Sequence, residues 1–288
     1  MGSLPLVTVG LPVRNGAAAI EPVLRSVLAQ THECIELLIS DNASTDETEE
    51  VCRAVAATDD RVVFHRQPEN IGMVNNFFWT KAHARGEYFR WIGDSDYLCP
   101  EYVTRCLEVI VDDPRLILVT TQMAYLQQNG APETTAYDSA RLGYDDPVVR
   151  FGEMLRLLTE SYQLLDPVYS LMRPDAVVTI PYGTSLRGDE SYAAKVALAG
   201  PWGHIPEVLA HRNREARTLT HIARLVGAPR WHAGASTWLQ CRDLFRYVRE
   251  DGQLSPEQKQ QARTEIRHFY ARRHFNAWRN RARRLLAR

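Results

Sequence analysis

The apolar positions of this chain fall into runs that alternate between two periods. Residues 4–13, Leu4-Pro5-Leu6-Val7-Thr8-Val9-Gly10-Leu11-Pro12-Val13, are almost continuously apolar and close on a proline, the pattern of a buried strand. From about Ala17 to Gln30 the apolar residues return at Ile20, Val23, Leu24, Val27 and Leu28, a spacing that predicts one face of a helix. A second strand is predicted from Ile35 to Ser40. It runs into Asp41-Asn42-Ala43-Ser44-Thr45-Asp46, a cluster of turn and cap residues, so Ser44 or Thr45 is expected to cap a helix starting near Asp46, with Glu47 assisting. Further strands are predicted at Arg61 to His65 and Tyr88 to Ile92. This alternation predicts an α/β fold with a mostly parallel sheet and helices on both faces. Ligands of such sheets bind beyond the carboxyl ends of the strands, so Pro12 to Asn15, Asp41 and Asp94 to Asp96 should gather at one edge.

Gly93-Asp94-Ser95-Asp96 stands where the strand Tyr88 to Ile92 stops. Two carboxylates a few ångströms apart repel, and each favours protonation unless a cation lies between them. A hard divalent ion such as Mg²⁺ or Mn²⁺ prefers oxygen ligands and commonly bridges carboxylates to substrate phosphates. D-x-D is a common tripeptide, and its meaning here comes from the segments that precede it.

Taken in order, those segments resemble the inverting family 2 glycosyltransferases of the GT-A fold, which has a Rossmann-like sheet. Val9-Gly10-Leu11-Pro12-Val13-Arg14-Asn15 is similar to the family's opening strand and Pro-x-x-Asn turn. Ser26-Val27-Leu28-Ala29-Gln30 resembles its Ser-x-x-x-Gln helix end, and Asp41-Asn42-Ala43-Ser44-Thr45-Asp46 its Asp-(Asp/Asn)-x-Ser-x-Asp segment. Asn70-Ile71-Gly72, Asn75 and Ala84-Arg85-Gly86-Glu87-Tyr88 match the lead-in to the D-x-D strand. The resemblance covers roughly residues 4–215. It implies a UDP-sugar donor, or second a dTDP-sugar, with Asp41 meeting the imino N–H of the base and Pro12, Val13, Arg14 and Asn15 lining the nucleoside. It further implies that Asp94 faces the ribose, that Ser95 belongs to the nucleotide-sugar site, and that Asp96 binds Mn²⁺ or Mg²⁺, with Asp94 as a second possible ligand. Asp41 and Asp46 are equally turn and cap types; the cap reading is preferred for Asp46 and the ligand reading for Asp41. Arg14 reads as surface charge or ligand contact alike. Asn70 and Gly72 are expected to shape a turn, and Asn75 to bond to backbone.

Sugar transfer to a hydroxyl requires a general base, because the hydroxyl has a high pKa. Within Leu186-Arg187-Gly188-Asp189-Glu190-Ser191-Tyr192, the resemblance places Asp189 on the family's catalytic aspartate, with Glu190 in reserve. Gly188 stands where the family has a glutamate, and Lys195 where it has an arginine. An acidic first turn favoured by the helix dipole is the structural alternative. Where the family often carries Arg-x-His, this chain reads His211-Arg212-Asn213-Arg214, so His211 could substitute near the metal or Arg214 could pair with the diphosphate.

The 288 residues, 45% of them hydrophobic, suffice for one large domain and an extension. The division expected is 1–215 for the glycosyltransferase domain, with a nucleotide-sugar half to about 105 and an acceptor half beyond it, then 216–288 as a helical extension. Gly227-Ala228-Pro229-Arg230-Trp231 lacks the glutamine of the processive synthases' Gln-x-x-Arg-Trp, and no apolar stretch of about 18 residues occurs, so single-sugar transfer is expected. Five cysteines without a C-x-x-C pair, and a start that reads as a strand and not as a leader, predict reduced thiols and a cytoplasmic protein. Residues 127–147 read as a long loop in which Tyr137 and Tyr144 either stack on an acceptor or pack. Residues 148–165 read as a helix with Met154, Leu155, Leu158, Tyr162 and Leu165 on its core side.

Charge is uneven along the chain. Residues 257–288 hold ten Lys or Arg against two Glu, leaving 24 against 33 in the remainder. A helix is predicted from Pro256 onward, docked through Ile266 to Trp278, with peripheral contact to an anionic membrane open for Arg279 to Arg288. Docking on the chain's own acidic body or on a second subunit is the other reading, and nucleic acid is not expected as a partner. Two rival functions stay open: a sugar-nucleotide-binding module without turnover, and a nucleotidyltransferase sharing the fold. A haloacid-type phosphatase is set aside, because its D-x-D would belong on the first strand.

Overall fold

The predicted strands and helices form, with shifted ends. The computed structural model describes residues 4–126, 131–137, 139–160, 167–183, 186–213, 218–225 and 228–286. Its strands are β1 Val7–Val13, β2 Ile35–Asp41, β3 Val62–Arg66, β4 Tyr88–Trp91, β5 Tyr97–Leu98, β6 Leu118–Leu126, β7 Glu133–Thr134, β8 Leu171–Met172 and β9 Trp202–Asn213. The helices of its first half are α1 Ile20–Leu28, α2 Thr48–Ala56, α3 Met73–Ala82, α4 Tyr102–Asp112 and α5 Pro147–Glu160. Those that follow are α6 Pro174–Val177, α7 Gly188–Ala199, α8 Leu219–Leu225, α9 Trp231–Gly234, α10 Ser236–Glu250 and α11 Pro256–Leu286. They belong to two compact units. The first comprises Met1–Asp138, Gln163–Val178 and Trp202–Glu215, and the second Ser139–Tyr162, Thr179–Pro201 and Ala216–Arg288.

In the first unit one sheet runs in the order β3-β2-β1-β4-β8-β6-β9-β5, with β7 on β6. Strands β3, β2, β1 and β4 are mutually parallel. Every residue of β1 and β2 is buried, which is why their sequences are mostly apolar; the buried Thr8 and Glu36 are tolerated because they hydrogen-bond to each other at 2.6 Å. Val23, Leu24 and Val27 of α1 join Val9, Leu11, Leu37 and Ile39 in the core. Beyond β4 the sheet is mixed: β8 runs antiparallel to β4 and β6, and β5 antiparallel to β9. The long strands β6 and β9 are parallel to each other, and a two-residue strand such as β8 has no periodicity to read, so the antiparallel link from β4 to β6 is invisible to pattern analysis.

Two local expectations are corrected. Helix α2 starts at Thr48, and neither Ser44 nor Thr45 caps it; Asp46 instead accepts the Thr48 N–H at 3.2 Å and the Thr48 hydroxyl at 2.5 Å. Helix α3 was not predicted because the residues it buries are polar: Asn76, Thr80 and Lys81. Asn76 exchanges two hydrogen bonds with Ser40 on β2, at 2.7 and 2.8 Å. Lys81 donates to the Val177 carbonyl at 2.9 Å, and burial pushes its ammonium down to about 8.

In the second unit α11 packs on α5 and α10, and α7 packs on α5 and α10. Met154, Leu155 and Leu158 of α5 are buried as predicted, whereas Tyr162 and Leu165 lie outside the described residues. Arg150, also buried, donates to the Ala197 and Leu198 carbonyls at 2.8 and 2.9 Å and so caps the last turn of α7. Ala262, Ile266 and Phe269 dock α11, as expected for the start of that helix. The docked stretch ends sooner than predicted, since Phe275 and Trp278 are 59% and 66% exposed. Among the described residues no helix is long and apolar enough to cross a membrane, and all five cysteines are free thiols.

His204 on β9 titrates outside its ordinary range. Its Nδ1 lies 3.0 Å from the Thr120 hydroxyl, its Nε2 is buried without a partner, and Tyr137 packs edge-on at 5.3 Å. Tyr137 is thus a packing residue, and Tyr144 is exposed. Burial holds His204 down at about 4 from an ordinary 6.5. The unfolded chain therefore binds the extra proton first, and stability present above about pH 6.5 is lost as pH falls toward 4. The loss should be on the order of 3 kcal/mol. Urea unfolding of His204→Asn from pH 7 to 4 should show a correspondingly shallower decline; a slope equal to wild type would remove His204 as its source.

Candidate active site

The strand register brings three strand ends of the first unit side by side, two of them charged. Val13 pairs with Asp41, and Asp41 with Arg66, so the carboxyl ends of β1, β2 and β3 are level. Asp41 is fully buried. Its Oδ1 accepts from the Ser44 N–H at 3.0 Å and from the Ser44 hydroxyl, and its Oδ2 from Arg66 Nη1 at 2.5 Å. Arg66 also meets Glu49 at 3.1 Å and donates to the Ser44 carbonyl at 2.9 Å. A buried carboxylate is tolerated because it has this charged partner. Arg66 is a site residue that sequence reading missed.

The loop after β1 is tied to the loop after β2. Asn15 N–H donates to Ser44 Oγ at 2.9 Å, Gly16 N–H to Thr48 Oγ1 at 2.9 Å, and Ala17 N–H to Asp46 Oδ2 at 3.2 Å. In return Thr45 N–H donates to Asn15 Oδ1 at 2.8 Å. Asn15 and Ala43 both take left-handed backbone angles, φ 56° and 52°. Such angles are uncommon for non-glycine residues and collect at ligand sites. Pro12 and Val13 are buried here, while Arg14 and Asn15 are exposed. Asp46 is the cap residue expected of it: burial raises its carboxyl, but hydrogen bonds from Thr48 and Ala17 outweigh that and hold it below the usual range. Asn70 Oδ1 accepts from Gly72 N–H at 3.0 Å, and Asn75 donates to the Ile71 carbonyl at 2.7 Å, both as predicted.

The D-x-D turn is held from two sides. On one, Ser26 Oγ accepts the Leu98 N–H at 3.3 Å, and Gln30 donates to the Cys99 carbonyl at 2.7 Å while accepting from Val103 N–H at 3.0 Å. The Ser-x-x-x-Gln pattern is therefore a brace for the segment that follows Asp96. On the other side, Tyr97 pairs with His211 across β5 and β9, and one residue along Asp96 Oδ2 meets Arg212 Nε at 3.2 Å. Arg212 lies 3.9 Å over the Tyr169 ring, and Asn213 donates to the Ser95 carbonyl at 2.7 Å. Gly93 leaves room for this carboxylate: a Cβ there would lie 2.8 Å from Asp96 Oδ2 and displace it. Asp94 reaches back to the first loop, where a Cβ on Gly16 would be 3.6 Å from its Oδ2.

His211 does not join these carboxylates. Its ring stacks on Tyr97 at 4.4 Å, and burial lowers its pKa. Strand alternation aims Arg212, not His211, at Asp96; Arg214 lies outside the described residues. Among the described residues no group of three His, Cys, Asp or Glu could hold a metal unaided. The oxygen donors of Asp94 and Asp96 nonetheless suit Mg²⁺ or Mn²⁺, which commonly take one or two carboxylates and fill the shell with phosphate oxygens and water.

In the second unit Asp189 sits exposed in the first turn of α7 and accepts a hydrogen bond from the Tyr182 hydroxyl. Glu190 is differently engaged. It pairs with Arg187 at 2.6 Å and Arg273 at 2.5 Å and accepts from Gln240 at 3.2 Å, linking α7 to α10 and α11.

Comparison with known proteins matches these features to one group. The family model described as "Glycosyl transferase family 2" covers residues 8–177. The chondroitin synthase of Pasteurella multocida is 30% identical over 135 residues, which is 47% of this chain and 14% of that protein. The chain spans about two fifths or less of the length of the curated relatives it matches. Among solved structures, S. aureus TarS 1-349 is similar with TM-score 0.64 at 15% identity, over 92% of this chain and 71% of the other. The same TarS segment in complex with UDP-GlcNAc matches with TM-score 0.58. The mannosyltransferase PcManGT from Pyrobaculum calidifontis, in complex with GDP-Man and Mn²⁺, matches with TM-score 0.54 at 16% identity, over 96% and 88%. The fold is GT-A.

Proposed function

The chain belongs to glycosyl transferase family 2, and from that premise we propose that it transfers a single sugar from a nucleoside-diphosphate sugar to an acceptor hydroxyl with inversion. The observation that carries this reading is the convergence of Asp41, the Pro12–Asn15 loop and Asp94–Asp96 at the carboxyl end of parallel strands. Asp41 recognises the imino N–H of a pyrimidine, which favours a UDP-sugar and, second, a dTDP-sugar. Pro12, Val13, Arg14 and Asn15 line the nucleoside, Asp94 faces the ribose, and Ser95 belongs to the same nucleotide-sugar site. Asp96, with Asp94 as a second ligand, would hold Mn²⁺ or Mg²⁺, a Lewis acid for the leaving diphosphate. Asp189 takes the proton of the acceptor hydroxyl as the hydroxyl oxygen bonds to the anomeric carbon. The bond from that carbon to the diphosphate breaks with its electron pair on the departing oxygen.

Thermal denaturation with a panel of sugar nucleotides, with and without Mn²⁺, tests the donor assignment. A pyrimidine donor should raise the melting temperature by mass action, and Asp41→Asn should reduce the shift given by uridine alone. A panel in which no sugar nucleotide stabilises the protein would overturn it.

We propose also that the second unit touches an anionic membrane. Trp231, Trp238, Phe275 and Trp278 are all about half exposed or more, Arg242 lies 5.2 Å over the Trp238 ring, and the chain's basic excess follows directly after. Aromatic residues among arginines suit a headgroup layer. The protein should pellet with vesicles containing phosphatidylglycerol and stay in solution with phosphatidylcholine alone. Equal recovery from both would exclude the contact.

A further inference from the structure

Gly188 and Lys195, the two places where the sequence around Asp189 departs from the family pattern, are parts of one local arrangement in the second unit. Lys195 is completely buried and pairs with Asp243 of α10 at 2.6 Å. The same ammonium donates to the Pro181 carbonyl at 3.1 Å, which fixes the start of the segment leading to α7. Gly183, at φ +91°, turns that segment against the pair; a Cβ there would lie 2.9 Å from Asp243 Oδ2. Between these two anchors is Tyr182. Its ring lies on Gly188, where a Cβ would come within 2.3 Å of Cε1 and 2.9 Å of Cζ, a separation no side chain could keep. From there its hydroxyl reaches Asp189 Oδ1.

We propose that Tyr182 is a positioning residue for Asp189, a role that rests on the assignment of Asp189 as the base. The phenol holds the carboxylate in one orientation, and residue 188 is glycine because the ring needs that space. A group that steadies the aspartate thus comes from the segment preceding the helix. A donated hydrogen bond also favours the ionised carboxylate, so Asp189 stays charged, and able to accept a proton, to lower pH. Charged groups nearby among the described residues include Arg187 just before α7 and Glu190 on it, Arg273 of α11 against Glu190, and the Lys195–Asp243 pair behind Tyr182, with Arg246 on Asp243. None of these changes when the phenol oxygen is removed.

The test combines an assay-free titration with turnover. In protein labelled with ¹³C at aspartate carboxyls, with the Asp189 signal assigned by its loss in Asp189→Asn, Tyr182→Phe should raise the midpoint of that signal by about one pH unit. An unchanged midpoint would overturn the proposal whether or not Asp189 is the base. Release of UDP from UDP-GlcNAc, with water as acceptor, separates the two ideas. If Asp189→Asn keeps full activity, the base assignment fails. If it loses activity while Tyr182→Phe keeps the wild-type rate and acid limb, only the positioning role fails. The expected result is a fall of about tenfold for Tyr182→Phe with donor KM unchanged. Melting temperatures supply a check that needs no substrate. Gly188→Ala should destabilise the protein when Tyr182 is present and have little effect in a Tyr182→Ala background; additive effects would refute the packing of ring on glycine.

Discussion

Asp189→Asn is expected to cut transfer by about 10²-fold or more while leaving donor affinity nearly intact. The amide keeps the shape of the carboxylate and its place in the first turn of α7 but cannot take a proton. Steady-state kinetics should show the loss in kcat, with donor KM little changed. In the wild-type protein, activity should decline as acidification protonates the carboxylate. Glu190→Gln should behave differently. Its carboxylate pairs with Arg187 and Arg273, so the change should lower thermal stability, by about 2 kcal/mol, and spare kcat. NMR of the product's anomeric centre completes the test. Full activity in Asp189→Asn would take Asp189 out of the mechanism, and a retained configuration would end the inverting assignment.

Asp96→Asn should abolish the metal-dependent part of nucleotide binding. A neutral amide is a poor ligand for a hard cation, and even outer-shell partners of bound metals commonly account for about 10- to 100-fold in affinity. Titration calorimetry of UDP in the presence of Mn²⁺ should therefore show a fall of about 10²-fold or more. Uridine, which carries no phosphate, should bind as before. Asp96 also pairs with Arg212, and the substitution weakens that contact too. Fold integrity should accordingly be checked by circular dichroism before the affinities are compared. Mn²⁺-dependent UDP affinity equal to wild type would reject Asp96 as the ligand.

Much of this arrangement was legible before any coordinates. The β1–α1 and β2–α2 units announced themselves because buried parallel strands need unbroken apolar runs and amphipathic helices repeat their apolar face every three or four residues. The turn at Asn70 and Gly72 and the backbone bond of Asn75 were legible because those partners lie within four positions, whereas the bond from Asn42 to Asn70 spans 28 residues and was not. Helix α3 escaped notice because it buries Asn76, Thr80 and Lys81, which no hydrophobic pattern flags. The exposed Phe275 and Trp278 were misplaced for the converse reason: aromatic side chains read as core, and composition does not record where a docking face ends.

What the sequence determined by itself were the strands, the helices and the turn chemistry at their ends, together with the ordered motifs that place Asp41, Asp94 and Asp96 at strand termini. Those features depend on neighbours a few residues away. The partners of the charged groups were decided only by tertiary structure. Arg66 reaches Asp41 across 25 residues because β2 and β3 are in register, and Arg212 reaches Asp96 because β9 lies antiparallel beside β5. Tyr182 meets Asp189 where Lys195, buried against Asp243, holds the adjoining Pro181 carbonyl. A long charged or phenolic side chain accepts any partner that packing brings within reach, and no local pattern of residues encodes which one that is.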